Sequence, residues 1–254
     1  LDTPGYVEFI GETLSGIRAA DAAVIVVSAP SGVEVGSQQM WHMADQMALP
    51  RLIFVNKMDR ENANYESAIA SITETFGRQC VALQVPIGAE DSFTASYDLL
   101  DPDAAVPEGL GDAVESAREA LTELIAETDD ELTMKYLEGE ALTHDELLQG
   151  LKQGVLSGTI VPVLFGAALS GIGAEALLSA IIDLVPSPAE APDAAAATSD
   201  GEISLSARNG SPMAALVFKT AADQFVGKLS YIRVYSGGFK SDNQIWNASR
   251  DEAE

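Results

Sequence analysis

The sequence predicts an α/β protein built on a mostly parallel, doubly wound sheet. An inserted α+β module is expected to interrupt that sheet, and the start of an all-β barrel domain to follow it. Three observations carry this reading. Ala23-Val24-Ile25-Val26-Val27-Ser28 and Leu52-Ile53-Phe54-Val55 are continuous apolar runs with a helical stretch between them, the pattern of strands buried on both faces. The same strand-then-helix order returns only at residues 159–184, after a long stretch of different character. Beyond residue 212, short β-type runs alternate with glycine-bearing turns.

Taken in order, the first run ends in small residues, and a helix over 37–49 stops at Pro50. The second run leads directly into Asn56-Lys57-Met58-Asp59, and a helix is expected over 64–76. Residues 81–86 and 93–100 read as short strands. Asp112-x-x-Glu115 has the form of a capping box. It opens a helix whose Val114, Ala117, Leu121, Leu124 and Ile125 share one face. Another helix is expected over 130–137, and a third, capped by Thr143-x-x-Glu146, ends near Gly154. Residues 159–165 read as a strand, Gly166-Ala167-Ala168 as a turn and 173–184 as a helix. The stretch 186–212, rich in Pro, Ala, Ser, Asp and Gly, reads as a partly mobile linker. Strands are expected over 213–219, 229–235 and 244–249, too few to close a barrel. The expected divisions are a first segment 1–76, an insertion 77–158, a closing segment 159–187, a linker 188–211 and a partial β-barrel 212–254.

Composition narrows the function classes. Of 254 residues 47% are hydrophobic, so a core can form. The net charge of −25 argues against general affinity for nucleic acid and for solubility or a basic partner. No apolar run reaches the roughly 18 residues of a membrane helix, and no leader is visible. The single cysteine, Cys80, forms no internal disulfide and fits an intracellular, cytoplasmic protein; it reads as a small core residue. His42 and His144 lack metal-ligand spacing. Trp41 and Trp246 read as packing residues.

Two boxes carry chemistry. Asn56-Lys57-Met58-Asp59 is an N-K-x-D box after a buried strand. Guanine presents a ring N–H and an exocyclic amine on one edge, and the single Asp59 carboxylate accepts both. Adenine would leave that carboxylate unpaired, a mismatch that discriminates by roughly 10⁴-fold. Asn56 bonds the other side of the base and braces the loop. The Lys57 stem lies across the ring with its ammonium in water, and Arg60 braces the loop. The second box is Asp2-Thr3-Pro4-Gly5, a D-x-x-G. An aspartate at a strand end suits Mg²⁺, held through water. The glycine lets its N–H approach a γ-phosphate, which makes the next segment a switch. The Ala168 N–H is expected to address the guanine carbonyl oxygen.

The stretches DTPGYVEFIGE, LPRLIFVNKMDRENANYES, VALQVPIGAEDSFTASYDLL, KYLEGEALTHDELLQGL, SAIIDLVPSP and ALVFKTAADQFVGKLSYIRVYSGG resemble elongation factor G and its paralogues, the translational GTPases. The resemblance spans essentially the whole chain. It implies a partial P-loop-type GTPase G domain with the family's extra subdomain, then the first part of a β-barrel second domain. It implies GTP/GDP and Mg²⁺ as cofactors. It implies the ribosome as partner, through ribosomal RNA and stalk protein, with no membrane or DNA. It places GTP at Asp2, Thr3, Pro4, Gly5, Tyr6, Asn56, Lys57, Met58, Asp59, Ala167 and Ala168, with Asp2 towards Mg²⁺ and Tyr6 as the catalytic position. The expected activity is GTP hydrolysis driving a step of protein synthesis, elongation or translocation. The alternatives are a ribosomal-protection or recycling paralogue, or a GTP-gated ribosome-binding protein with little turnover.

Three departures accompany the resemblance. The phosphate loop G-x-x-x-x-G-K-[ST] and the first switch are absent from these residues, so the expectation is of a fragment with poor nucleotide affinity and no turnover of its own. Tyr6 stands where the family box has histidine; a phenol with pKa near 10 is a poor proton acceptor. Tyr6 either positions the attacking water or merely packs. Ala167 stands where the family often has serine, which removes one side-chain hydrogen bond and leaves the backbone contact.

Overall fold

The structure, a computed structural model, describes residues 1–198, 201–207, 211–241 and 244–254. Two compact units divide the chain, Leu1–Pro186 and Ser187–Glu254.

In the first unit a 3-10 turn (Val7–Phe9) leads into α1 (Ile10–Ile17), β1 (Ala23–Ser28), α2 (Val35–Gln46), β2 (Arg51–Asn56), α3 (Tyr65–Phe76) and β3 (Cys80–Ala82). β4 (Gln84–Ile87) and β5 (Ala95–Asp98) form an antiparallel hairpin, followed by α4 (Gly111–Ala126), α5 (Asp130–Leu137) and α6 (His144–Ser157). β6 (Val161–Phe165) and α7 (Ala174–Leu184) close the unit. The sheet has the order β1-β2-β6-β3, and every pairing in it is parallel. β6 arrives last and fills the slot between β2 and β3, with Val163 opposite Ile53 and Val161 opposite Cys80. Of the two apolar runs expected to be buried on both faces only β2 is central and buried; its central neighbour is β6, all of which is buried. β1 lies at an edge and leaves Val24 and Val26 exposed.

β3 corrects the expected boundary of the insertion. Residues 80–82 belong to the parallel sheet, because β6 supplies their hydrogen bonds. Where β3 departs, side chains of the hairpin take over: Phe165 N–H donates to Gln84 Oε1 (3.5 Å), and Ser96 Oγ donates to the Phe165 carbonyl (3.4 Å). Asp112-x-x-Glu115 is not a cap. α4 begins at Gly111, with Leu110 as N-cap and no side-chain bond there. Thr143 and Glu146 do form the capping box of α6, and Asn64 Oδ1 caps α3 by accepting from Ser67 N–H (2.8 Å). At the foot of β2, buried Arg51 lies 4.5 Å over the Trp41 ring and pairs with Asp45 at 2.9 Å. Trp41 stacks on Phe76 at 4.3 Å, so α2 and α3 are fastened to the start of the same strand. Cys80 is buried, which pushes its thiol up to about 12 against the opposing charge of Arg51.

Among the described residues of the second unit every strand pairing is antiparallel. β7 (Ala194–Thr198) pairs with β8 (Gly201–Leu205), β9 (Ala214–Asp223) with β10 (Gly227–Ser236), and β11 (Trp246–Asn247) with β12 (Glu252–Ala253). The stretch expected to be a linker therefore contains a hairpin; residues 199–200 and 208–210 of that stretch lie outside the described residues. The strand expected over 244–249 contracts to two residues, which pair with a return strand from Glu252. At the β9–β10 turn Asp223 Oδ1 accepts from the N–H groups of Phe225 (2.8 Å) and Val226 (3.0 Å), which hold its carboxyl below the usual range.

Candidate functional site

β2 and β6 run side by side and end together, so the loops that follow them meet. Asn56 Oδ1 accepts from its neighbour Lys57 N–H (2.8 Å) and from Ala168 N–H (2.9 Å), 112 positions away. Met58 N–H donates to the Gly166 carbonyl (3.1 Å), and the Met58 side chain is fully buried beneath the loop. The Asn56 carbonyl accepts from Ala29 N–H (2.9 Å), which ties in the end of β1. Gly166 has no room for a side chain: a Cβ would overlap the Phe54 ring and come within 2.5 Å of the Ile172 carbonyl. Ala167 N–H donates to that same carbonyl (2.9 Å), closing the turn. Lys57 is exposed and sits at φ +65°, a left-handed conformation that costs a β-carbon residue energy. Asp59 is half-buried. Asn56, Lys57, Met58, Asp59, Ala167 and Ala168 thus form one continuous rim at the carboxyl end of the sheet, where ligands of such sheets bind.

One expectation changes. The Ala168 N–H, assigned from sequence to the guanine oxygen, is taken by Asn56 Oδ1. A base bound here has to share that donor or displace the asparagine. Sequence reading also missed Glu90, whose carboxylate accepts from Asn62 N–H (2.7 Å) and ties the exit of the 56–59 loop to the connection between β4 and β5. No sequence signal marks it, because the two residues meet only through the fold.

Asp2, Thr3, Pro4, Gly5 and Tyr6 lie elsewhere. They line a groove of about 850 Å³ with edge strand β1 and the start of α2, and none of residues 56–59 or 166–168 shares that lining. Thr13 Oγ1 donates to the Pro4 carbonyl (3.2 Å), and Gly36 passes so close that a Cβ there would be 3.0 Å from the Gly5 carbonyl. Tyr6 is 77% exposed, so it is not a packing residue here. The Asp2 carboxylate is exposed and has no hydrogen bond or ion pair among the described residues. One free carboxylate fits a Mg²⁺ ion, which takes one or two carboxylates and draws its other ligands from water and phosphates. No group of three or more His, Cys, Asp or Glu able to hold a metal occurs among the described residues.

The parallel sheet, with an N-K-x-D loop locked to the turn after its neighbouring strand, is the architecture of a GTPase G domain. Residues 1–187 match the elongation factor Tu GTP binding domain. The chain is 40% identical over 262 aligned positions to the elongation factor G-like protein of Thermotoga maritima, covering all of this chain and 38% of that protein. A solved structure from Thermus thermophilus superposes with a TM-score of 0.82 at 30% identity, over 98% of this chain and 37% of that one. The chain thus spans little more than a third of the length of these relatives. It belongs to the elongation factor Tu GTP-binding domain family. Among the described residues no helix is long and apolar enough to cross a membrane.

Proposed function

We propose that this chain serves in a ribosome-associated, cytoplasmic translational GTPase that hydrolyses GTP to drive elongation or translocation. The observation that carries this reading is the pair of hydrogen bonds accepted by Asn56 Oδ1, from Lys57 N–H in its own loop and from Ala168 N–H in the loop after β6, which ties the two loops together. In this reading Asp59 accepts the two guanine N–H groups, Lys57 covers the base, and Met58 supports the loop from below. Ala167 and Ala168 close the far side. Asp2 holds Mg²⁺ through water; when bound, the ion neutralises phosphate charge. Thr3 and Pro4 shape the turn that presents the Gly5 N–H to the γ-phosphate, and Tyr6 faces the attacking water. Segments 1–82 and 159–187 then make the G domain, residues 83–158 its insertion, and 212–254 part of a β domain. The partners are ribosomal RNA and stalk protein.

A second reading is favoured by Tyr6 itself. An exposed phenol in place of a histidine suits a GTP-gated ribosome-binding protein with little turnover. GTP turnover by the full-length protein carrying this chain, with and without ribosomes and beside a Tyr6→His version, separates the two. Ribosome stimulation of the Tyr6 form is expected. Stimulation only after histidine is introduced selects the second reading, and failure of both forms to bind guanine nucleotide defeats both readings.

A further inference from the structure

On the flank of the first unit, where β3 hands over to the β4–β5 hairpin, lies a cavity of about 1030 Å³, the size of a large ligand site. Its floor is apolar, built by the buried side chains of Leu83, Leu151 and Leu164. Its walls carry Asp98, Asp101, Glu175 and Asp183, and neither lysine nor arginine lines it. Burial pushes the Asp98 carboxyl up and Asp101 adds to this, against the Leu100 N–H and His144, although the residue keeps solvent contact. Four carboxylates are thus gathered over an apolar floor, with His144 the one basic side chain in the lining.

Gln84 supplies an independent pointer. It lines the cavity and is only 4% exposed. Its Oε1 is turned to the Phe165 N–H, which fixes the orientation of the amide, and its Nε2 has no hydrogen-bond partner among the described residues. The rest of the residue is held in the protein, so this donor faces the cavity, where an acceptor that enters can take it. β5 forms one margin of the cavity, and its outer edge has no strand partner among the described residues.

We propose that this cavity docks a peptide segment that carries lysine or arginine on an apolar stretch. The cationic groups meet the four carboxylates, the apolar side chains cover the leucine floor, and a backbone carbonyl accepts from Gln84 Nε2. A free organic amine answers the carboxylates but brings no acceptor for Gln84 and leaves the β5 edge bare, so a peptide fits better. The site is distinct from the base-reading rim, since none of residues 56–59 or 166–168 lines it, and it does not rest on the nucleotide reading.

The test is titration of the ¹⁵N-labelled full chain with acetyl-KLKLK-amide, followed by NMR at the Gln84 side-chain amide. A saturable shift there is expected. The double variant Asp98→Asn/Asp183→Asn is expected to weaken binding by about tenfold, and Asp130→Asn/Glu131→Gln on α5, with the same change of charge, to leave it unaltered. If the first double variant loses its dispersed spectrum, Glu175→Gln alone takes its place and is expected to weaken binding severalfold. The proposal is overturned if the Gln84 amide does not move, or if the α5 variant weakens binding equally. It is also overturned if cadaverine alone reproduces the shift at equal strength, which would make the cavity a free-amine site.

Discussion

Lys57 is the residue where stability and function pull in opposite directions. Its φ of +65° is a conformation that glycine adopts without cost and lysine does not. The loop tolerates it because Asn56 Oδ1 and the Met58–Gly166 bond pin the residues on either side. Lys57→Gly is therefore expected to raise stability to chemical denaturation by about 0.5–1 kcal/mol. On the proposed reading, in which the Lys57 stem covers the base, it is also expected to lower guanine-nucleotide affinity in the full-length protein. A variant that loses stability would show that the lysine side chain, rather than the backbone turn, holds the loop. At this scale Asn56, Lys57 and Asp59 could be picked out of the sequence because their types match the donors of guanine and they follow a buried apolar run. The use of Asn56 to hold Ala168 could not. That bond depends on β6 lying beside β2, and nothing near residue 56 records which strand arrives there.

Among the elements, α6 shows most directly how a local sequence signal becomes stability. Thr143 Oγ1 accepts from Glu146 N–H (3.3 Å), and Glu146 Oε2 accepts from Thr143 N–H (2.8 Å). Glu146 also pairs with Lys135 of α5. These bonds, Lys135 first, hold the Glu146 carboxyl down to about 2. The folded carboxyl thus titrates below the unfolded one. Its contribution is complete above the unfolded value of about 4.3 and is lost as pH falls through about 2. Acid is therefore expected to loosen the α5–α6 pair across that window, and Glu146→Gln to flatten this part of the pH–stability curve. Thr143→Ala is expected to cost about 0.5–2 kcal/mol. A pH profile identical in wild type and Glu146→Gln would refute this account. The α6 cap was legible because a threonine and a glutamate three apart suffice to form it. Other elements were less so. Asp112 sits one residue inside α4, where its spacing to Glu115 has no capping use. α1 was missed because Gly11 and Gly16 dilute its helical pattern. β3 has three residues, shorter than any period, and β7 is a run of alanines with little strand preference of its own.

At the scale of the whole molecule the two units differ in what holds them. The first packs the strands of its parallel sheet, α3, α4 and α6 into one buried cluster that includes Leu52, Ile53, Ile72, Leu121, Leu151 and Phe165. This division was legible in outline, since long apolar runs occur only before residue 187 and short β runs after it. What the sequence did not convey is how thin the second unit is. Among its described residues no apolar side chain is fully buried, and only Ser236 is. Its longest element is the β9–β10 hairpin, in which Val217, Leu229, Tyr231 and Val234 all keep substantial exposure. An isolated two-stranded hairpin is marginal in water because backbone bonds without a buried face barely offset the entropy of ordering. Local opening should therefore be much easier in this unit than in the central strands. In hydrogen exchange of the 254-residue chain, amides of β9 and β10 are expected to exchange at least about a hundredfold faster than those of β2 and β6, a gap of about 2.7 kcal/mol or more in opening free energy. A full-length protein in which further chain covers these apolar side chains should close much of that gap. Equal protection in the two units of the 254-residue chain would mean that the second unit is stabilised by contacts other than burial of its own side chains.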